Sequence, residues 1–347
     1  MSFAGDRPRL YFNVISTTAA IRIRSHGGPD LLQWEEVELA PVAAGEVRVR
    51  HTAIGVNYSD VNVRRGGFYL AHRPAFPLTL GNEASGVVQE VGPGVDDMKV
   101  GDRVCYAGMH GEFYEQTGAY AEVRNVPADR LLKIPDDITD QQAAALLLKG
   151  LTASMIINRL FRPRPGDAVL LHAAASGVGL ILCQWARCLG ATVIGTVGLP
   201  DKARIAREHG CDHTVLYREE EFVEATRRLV PAGVSAVFDG VGKDTFIRSL
   251  DCVRPFGLMI NYGNASGHVP PFDLLWLARK SISVCRPGVG SYTRDIRTMR
   301  QAGAELFDLL RTGVLRTRFA TYPLRDAAAA HRDLEGRRVS GSILLLP

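Results

Sequence analysis

The sequence predicts a two-domain α/β protein: a β-rich barrel or sandwich first, then a doubly wound parallel sheet. Three observations point there. A chain of 347 residues is longer than one ordinary core organises. Its first third consists of short β-branched or alternating runs broken by Gly and Pro, and from about Thr139 apolar strand runs alternate with helical stretches. A Gly-rich turn stands between one such strand and helix, at residues 174–179.

Composition sets the outer bounds. Hydrophobic residues make up 46% and charged residues 22%, an ordinary globular balance rather than a disordered one. The net charge of +4 steers weakly toward anionic ligands such as a phosphorylated cofactor and lacks the charge stripe of a nucleic-acid binder. No run of about 18 consecutive apolar residues occurs, so no membrane span is expected. Residues 1–24 lack the basic start, apolar run and cleavage site of a secretory signal. Six scattered cysteines (Cys105, Cys183, Cys188, Cys211, Cys252 and Cys285) read as reduced, mostly buried thiols, which predicts a cytoplasmic protein.

The elements follow in order. Residues 20–25, 46–56 and 83–91 read as strands, separated by breaks at 26–29, 41–45 and 92–94. Residues before about Thr18 find no partner in this pattern and read as a leader. Next come a buried strand at 168–173, an apolar helix at 177–189, a strand at 191–197 and a helix near 201–209. Further strands are expected at 213–217, 235–241, 257–263 and 281–286. Strands alternating with helices imply right-handed crossovers and a parallel sheet. The last 60 residues end in a strand at 342–346 and are expected to return to the first domain. The predicted division is 1–138, 139–281 and 282–347.

Ala174-Ala175-Ser176-Gly177-Val178-Gly179 follows the strand and opens the helix, the context of a dinucleotide turn. Such a turn presents backbone N–H groups and a helix's positive end to a pyrophosphate, and its last Gly permits close helix–strand packing. An NAD enzyme places a carboxylate about 20 residues beyond the motif. Gly198 stands there instead, with Lys202 just beyond and Tyr217 ending the third strand, which favours NADPH. Asp201 argues the other way, since it would serve a 2′-hydroxyl in a slightly different loop, and Lys202 also reads as a solvated helix-start lysine.

These residues resemble the medium-chain dehydrogenase/reductase superfamily, in its quinone oxidoreductase and zeta-crystallin branch. The sharpest stretches are Gly55-Val56-Asn57-Tyr58-Ser59-Asp60, Lys149-Gly150-Leu151-Thr152 and 172–196, with further matches at 217–220, 249–252, 257–259 and 263–267. The resemblance covers the chain from about Ala20 to its end. It implies a GroES-like catalytic barrel, a Rossmann domain inserted into it, a homodimer joined through Rossmann sheet edges, and NADPH in the cleft between domains. By the same resemblance Ser176, Gly177 and Val178 hold the pyrophosphate, and Gly198, Lys202 and Tyr217 the 2′-phosphate. Val241, Gly263, Asn264, Arg286 and Arg337 line the cleft, while Asn57 and Thr152 approach the nicotinamide. Asn57, Asn62, Arg64, Phe68 and Tyr69 are the candidate substrate contacts. Two residues depart from the branch: Ser176 replaces a Gly, and Asn62 replaces a Tyr thought to stack on the substrate.

Zinc alcohol dehydrogenases of the superfamily use a Cys and a His-Glu pair where this chain has Asn57 and Asn82-Glu83. Asn is a poor zinc ligand beside thiolate or imidazole. Cys183 and Cys188 lie about 140° apart around a helix and cannot share a metal. His72, His110 and Glu112 read as loop residues, and no metal site is expected. Without zinc to polarise an alcohol, the acceptor must already be electron-poor, so hydride transfer to a quinone is the primary expectation. Reduction of an enone or alkenal is the nearest alternative, and a low-turnover NADPH-binding protein, RNA-associated or structural, the next. Asn57 is the candidate oxyanion donor; it reads equally as a turn cap or a contact for the cofactor carboxamide. Asp60 reads as the residue that holds this loop, and no essential acid or base is assigned.

Overall fold

The computed structural model describes residues 17–67, 75–109 and 116–347. The first part of the chain supplies strands β1 (Thr17–Ile23), β2 (Gln33–Glu38), β3 (Glu46–Val56), β4 (Leu78–Thr79), β5 (Glu83–Val91), β6 (Arg103–Ala107), β7 (Val123–Pro127) and β8 (Leu132–Lys133). Helix α1 (Tyr58–Arg65) leaves the end of β3. Early in β3 every second residue is buried (Val47, Val49, His51, Ala53), the period of a half-buried strand. From Ala53 to Val56 all four are buried, because Ala144 and Ala145 cover the second face.

The middle of the chain runs through α2 (Asp140–Met155), β9 (Ala168–His172), α3 (Gly177–Cys188), β10 (Thr192–Val197), α4 (Pro200–Glu208), β11 (His213–Leu216), α5 (Phe222–Leu229), β12 (Val234–Asp239), α6 (Phe246–Ser249), β13 (Val253–Asn261), α7 (Leu275–Ala278) and β14 (Ser283–Cys285). Its six strands form one parallel sheet in the order β11-β10-β9-β12-β13-β14. The strand order reverses between β9 and β12. A crevice at the carboxyl ends of the strands on either side of such a switch is where ligands bind in this architecture.

The chain then returns through α8 (Val289–Thr293), α9 (Ile296–Arg311), β15 (Phe319–Pro323), α10 (Ala327–Glu335) and β16 (Ser342–Leu346). β16 pairs antiparallel with β3 and parallel with β15, closing the first domain's sheet in the order β15-β16-β3-β5-β6-β8, with β7 also on β3. One large core joins α2, α3 and α9 to one face of the parallel sheet, and another fills the barrel.

One expectation is corrected. β14 pairs with β13 from Leu258↔Ser283 to Ile260↔Cys285, so the parallel sheet runs past residue 281 and the boundary moves to after Cys285. The helical stretch Asp140–Leu160 has length and mean hydropathy sufficient for a span, although no unbroken apolar run marks it; 78% of its most apolar window is buried against the rest of the protein. It is a core helix by its contacts with α9, α3, β3 and β5. Thr17 and Thr18 already belong to β1, where Thr17–Arg22 pair with β2. Residues 1–16 lie outside the described residues.

Candidate active site

The turn after β9 has the form a pyrophosphate requires. Ser176 caps α3, its hydroxyl accepting the Gly179 N–H at 3.1 Å. The first-turn N–H groups of Gly177 and Val178 have no intrahelical acceptor and point out of the helix end. A Cβ on Gly179 would strike the carbonyl oxygen of Ala173, so Gly is needed for the helix to sit this close to the strand. The replacement of Gly by Ser at 176 therefore supplies a helix cap. The C-terminal segment closes on the same turn, with the Gly341 N–H donating to the Ala175 carbonyl at 2.9 Å.

Beyond β10 and β11 three cations gather around a missing side chain. A Cβ on Gly198 would lie 2.6 Å from the Tyr217 hydroxyl and 3.3 Å from Nε of Arg218. Arg337 Nη1 donates to that hydroxyl at 3.4 Å. Lys202 donates to the carbonyls of Arg337 (2.6 Å) and Val339 (3.3 Å), so it is no freely solvated helix-start lysine. Burial, then the charges of Arg337 and Arg218, lower its pKa. Lys202, Arg218 and Arg337 have no carboxylate partner among the described residues. Three cations without a carboxylate partner among the described residues thus gather near a position where only Gly fits. Arg218 escaped the sequence reading because only the fold turns it back toward Gly198.

The loops after β12 and β13 form the opposite wall. Val241 donates its N–H to Asp239 Oδ1 at 2.8 Å, and its carbonyl accepts from Ser266. Gly263 packs on Gly240 so tightly that a Cβ would lie 2.6 Å from the Gly240 carbonyl oxygen. Arg286 reaches the Asn261 carbonyl (3.1 Å) and Asn264 Oδ1 (3.3 Å), bracing Asn264. Tyr58 donates to the Ala265 carbonyl at 2.7 Å, tying the barrel loop to this wall across the two domains.

At the barrel side of the cleft a buried polar cluster surrounds Asn57. Its N–H donates to Asp60 Oδ2 (2.8 Å), and Asp60 returns its N–H to the Asn57 carbonyl, which starts α1. The Asn57 side chain is not spent on this cap. Its Nδ2 donates to Glu83 Oε1 at 2.8 Å, and its Oδ1 accepts from Lys149 Nζ at 2.9 Å. Lys149 also meets Glu83 Oε1 at 2.6 Å, and Glu83 Oε2 takes the Leu148 N–H. Gly55 makes room for this carboxylate, which a Cβ there would strike. The Lys149 stem lies against Gly177, 2.8 Å from where a Cβ would be, so its amine stands between the barrel loop and the dinucleotide turn. Thr152, one turn later on α2, donates back to the Leu148 carbonyl.

Asp60 acts as the loop holder and more. It accepts from Asn57, from Asn82 Nδ2 (2.7 Å) and from the Tyr120 hydroxyl (3.2 Å). Burial pushes its carboxyl up to about 7 against the pull of the Asn57 and Asn82 donors. Tyr120 in turn meets His331 Nε2 at 3.0 Å, and Arg64 Nη1 meets His331 Nδ1 at 3.2 Å. Arginine only donates, so Nδ1 accepts and the proton sits on Nε2. Burial, with Arg64 beside it, holds His331 down to about 3.

Arg64 is a correction. Its guanidinium is fully buried and committed to the Gly27 carbonyl (3.1 Å), His331 and Glu335 (2.7 Å), which leaves no face for a substrate. Asn62 lies on α1, half-buried, its carbonyl accepting the Gly67 N–H. Phe68 and Tyr69, with His72, His110 and Glu112, lie outside the described residues. Lys149 and Glu83 are charged members of this cluster to which the motif reading gave no role, although Lys149 stands within an apolar helix and Glu83 beside Asn82.

The donor set does not fit zinc. Asn57, Asn82 and Glu83 stand where a zinc enzyme would carry its ligands, and the Lys149 amine occupies the ground between Asn57 and Glu83. Among the described residues no three His, Cys, Asp or Glu side chains group closely enough to hold a metal.

Comparison with known proteins agrees with this geometry. Residues 43–136 match the alcohol dehydrogenase GroES-like domain, and residues 177–307 match the family described as zinc-binding dehydrogenase. The chain is 44% identical to the 2-haloacrylate reductase of a Burkholderia species, over 94% of this chain and 98% of that protein. It is 42% identical to quinone oxidoreductase 1 of Escherichia coli, over 94% and 99%. The crystal structure of an E. coli quinone oxidoreductase complexed with NADPH superposes with a TM-score of 0.89, at 42% identity, covering 96% of this chain and all of that one. A GroES-like barrel, a parallel sheet with a dinucleotide turn, and a cleft between them place this chain in the quinone oxidoreductase branch of the medium-chain dehydrogenase/reductase superfamily.

Proposed function

We propose that this protein is an NADPH-dependent reductase that delivers hydride to a quinone. The observation that carries the reading is the cleft itself. An anion site of Lys202, Arg218 and Arg337 ends it, the capped turn at Ser176–Gly177–Val178 lies along it, and the polar group of Asn57, Glu83 and Lys149 faces that turn. The residues fit NADPH: the helix start takes the pyrophosphate, and the three cations around Gly198 and Tyr217 take the 2′-phosphate. Val241, Gly263 and Asn264 line the wall opposite, braced by Arg286, with Thr152 and Asn57 at the nicotinamide end. When bound, this cofactor supplies the hydride.

The chain's own residues orient and enclose. Tyr58 holds the barrel loop to the Ala265 carbonyl, which ties the two walls of the cleft together. Asn57 is fixed by three partners, so its amide is already oriented before any ligand arrives. The test is NADPH consumption, followed by absorbance, with a simple quinone against an acyclic enal. Turnover with the quinone supports the reading, and a protein that binds NADPH yet reduces neither acceptor refutes it. A second reading, reduction of a conjugated carbonyl, is favoured by the 44% identity to a 2-haloacrylate reductase and by Asn62, whose amide offers no aromatic stacking face. Turnover of 2-haloacrylate above quinone would select it.

We further propose a homodimer. The edge strand β14 is flanked by exposed Leu274, Leu275 and Trp276 and itself exposes Val284. An apolar patch beside an unpaired strand edge suits a second copy of the same sheet. The six free cysteines, four of them buried, support the cytoplasm as its compartment.

A further inference from the structure

We propose that the Lys149 amine is the fixed electrophile of this site: it donates to the oxygen of the acceptor on which negative charge develops during reduction. The inference rests on the reductase reading and adds a catalytic residue to it. Three features carry it. A lysine bears three donors, and two are committed, to Glu83 Oε1 at 2.6 Å and Asn57 Oδ1 at 2.9 Å. The third has no acceptor among the described residues. The side chain keeps 8% of its surface open and runs along Gly177, so what is exposed lies between the barrel loop and the dinucleotide turn. A charge here is also expensive: Glu83 is fully buried and Gly55 is required to admit it. Glu83 Oε1 takes both the amine and the Asn57 amide, so the carboxylate holds a cation beside Asn57 at this point.

The reaction then balances without a metal. Hydride adds to the acceptor, which gains two electrons while the nicotinamide loses them. The acceptor oxygen becomes anionic, and Lys149 hydrogen-bonds that oxygen while keeping its own proton. Water supplies the final proton. Asn57 positions the amine by accepting one of its hydrogens; the oxyanion role given to Asn57 passes to its neighbour.

The experiment has two arms. In the first, a nitrophenol that ionises near neutral pH stands in for the oxyanion product, and its absorbance is followed as it binds the wild-type protein saturated with NADP+. Bound phenol should ionise at least tenfold more readily than free phenol; ionisation at the free value overturns the proposal while leaving the reductase reading intact. In the second, Lys149→Met/Glu83→Gln removes both charges so that neither is left buried alone, and Lys149→Arg restores a donor. The double variant should keep NADPH affinity within about threefold while kcat falls about 100-fold, the scale of losing one oxyanion donor. Lys149→Arg should recover part of it. A kcat within threefold of wild type, or a loss confined to NADPH binding, overturns the proposal. If the wild type binds phenolate in a Lys149-dependent way yet reduces no quinone or enone, the reductase reading fails and the catalytic role falls with it, while an anion contact at Lys149 is shown.

Discussion

Arg218→Leu tests cofactor choice most directly. Arg218 is exposed, pairs with no carboxylate among the described residues, and has Nε 3.3 Å from the position a Gly198 Cβ would take. Removing it should cost the free protein nothing, since its present neighbours Lys202 and Arg337 are themselves cations. A hydrogen bond to a charged group contributes about 1.5–3 kcal/mol, and solvent exposure argues for the lower end. About 1.5 kcal/mol corresponds to a roughly tenfold weaker Kd for NADPH. The Kd for NADH should stay within twofold, because no phosphate stands at that end. Nucleotide fluorescence titrated at low and high salt measures both, and the NADPH difference should shrink as salt screens the exposed charge. Equal losses for the two nucleotides would refute the assignment of this cluster. Lys202→Glu should also weaken NADPH far more than NADH. It removes the donors to the Arg337 and Val339 carbonyls as well, so it should lower thermal stability where Arg218→Leu does not.

Other perturbations probe the barrel side and the sheet edge. Gly55→Ala should destabilise the fold by about 2 kcal/mol in urea unfolding, since the new methyl strikes a carboxylate held by Lys149 and the Leu148 N–H; an unchanged midpoint would mean Glu83 has room to move. Asp60 is raised by burial from 3.8 to about 7, so its contribution to stability is full below about pH 4 and is lost as pH rises through 7. The stability of wild type relative to Asp60→Asn should therefore fall between pH 4 and 7, by up to about 1.4 kcal/mol per pH unit, in urea titrations; a difference constant with pH would show an ordinary carboxyl. Val284→Arg, on the exposed edge strand, should convert a dimer to a monomer in sedimentation velocity, and a monomeric wild type would sink the dimer proposal.

Much of the Rossmann half was legible because its signals are local. β9, the Gly-rich turn and α3 are contiguous, and the apolar runs of β10 and β12 are buried on both faces, so they stand out in one dimension. β3, β5 and β16 were legible at their observed bounds. Weaker local patterns hid the others. β2 has three acidic residues and no buried position, and the eight-residue α1 is too short for a helical period to emerge. β14 was expected as a strand at 281–286 and is shorter, Ser283–Cys285; its pairing with β13 is what assigns it to the parallel sheet.

The amino-acid sequence alone determined the order of domains, the dinucleotide turn, the absence of a carboxylate at Gly198 and the loss of zinc-type ligands at Asn57 and Asn82. Each is a property of residue type within one short segment. Tertiary structure decided what those residues face. It brought Arg337 to Tyr217 across 120 positions, withdrew Arg64 into an ion pair with Glu335 across 271, and set Lys149 between Asn57 and Glu83. The reason is physical: a charged side chain's role depends on which opposite charge or open space it meets, and here the partners come from strands and helices far apart in the chain.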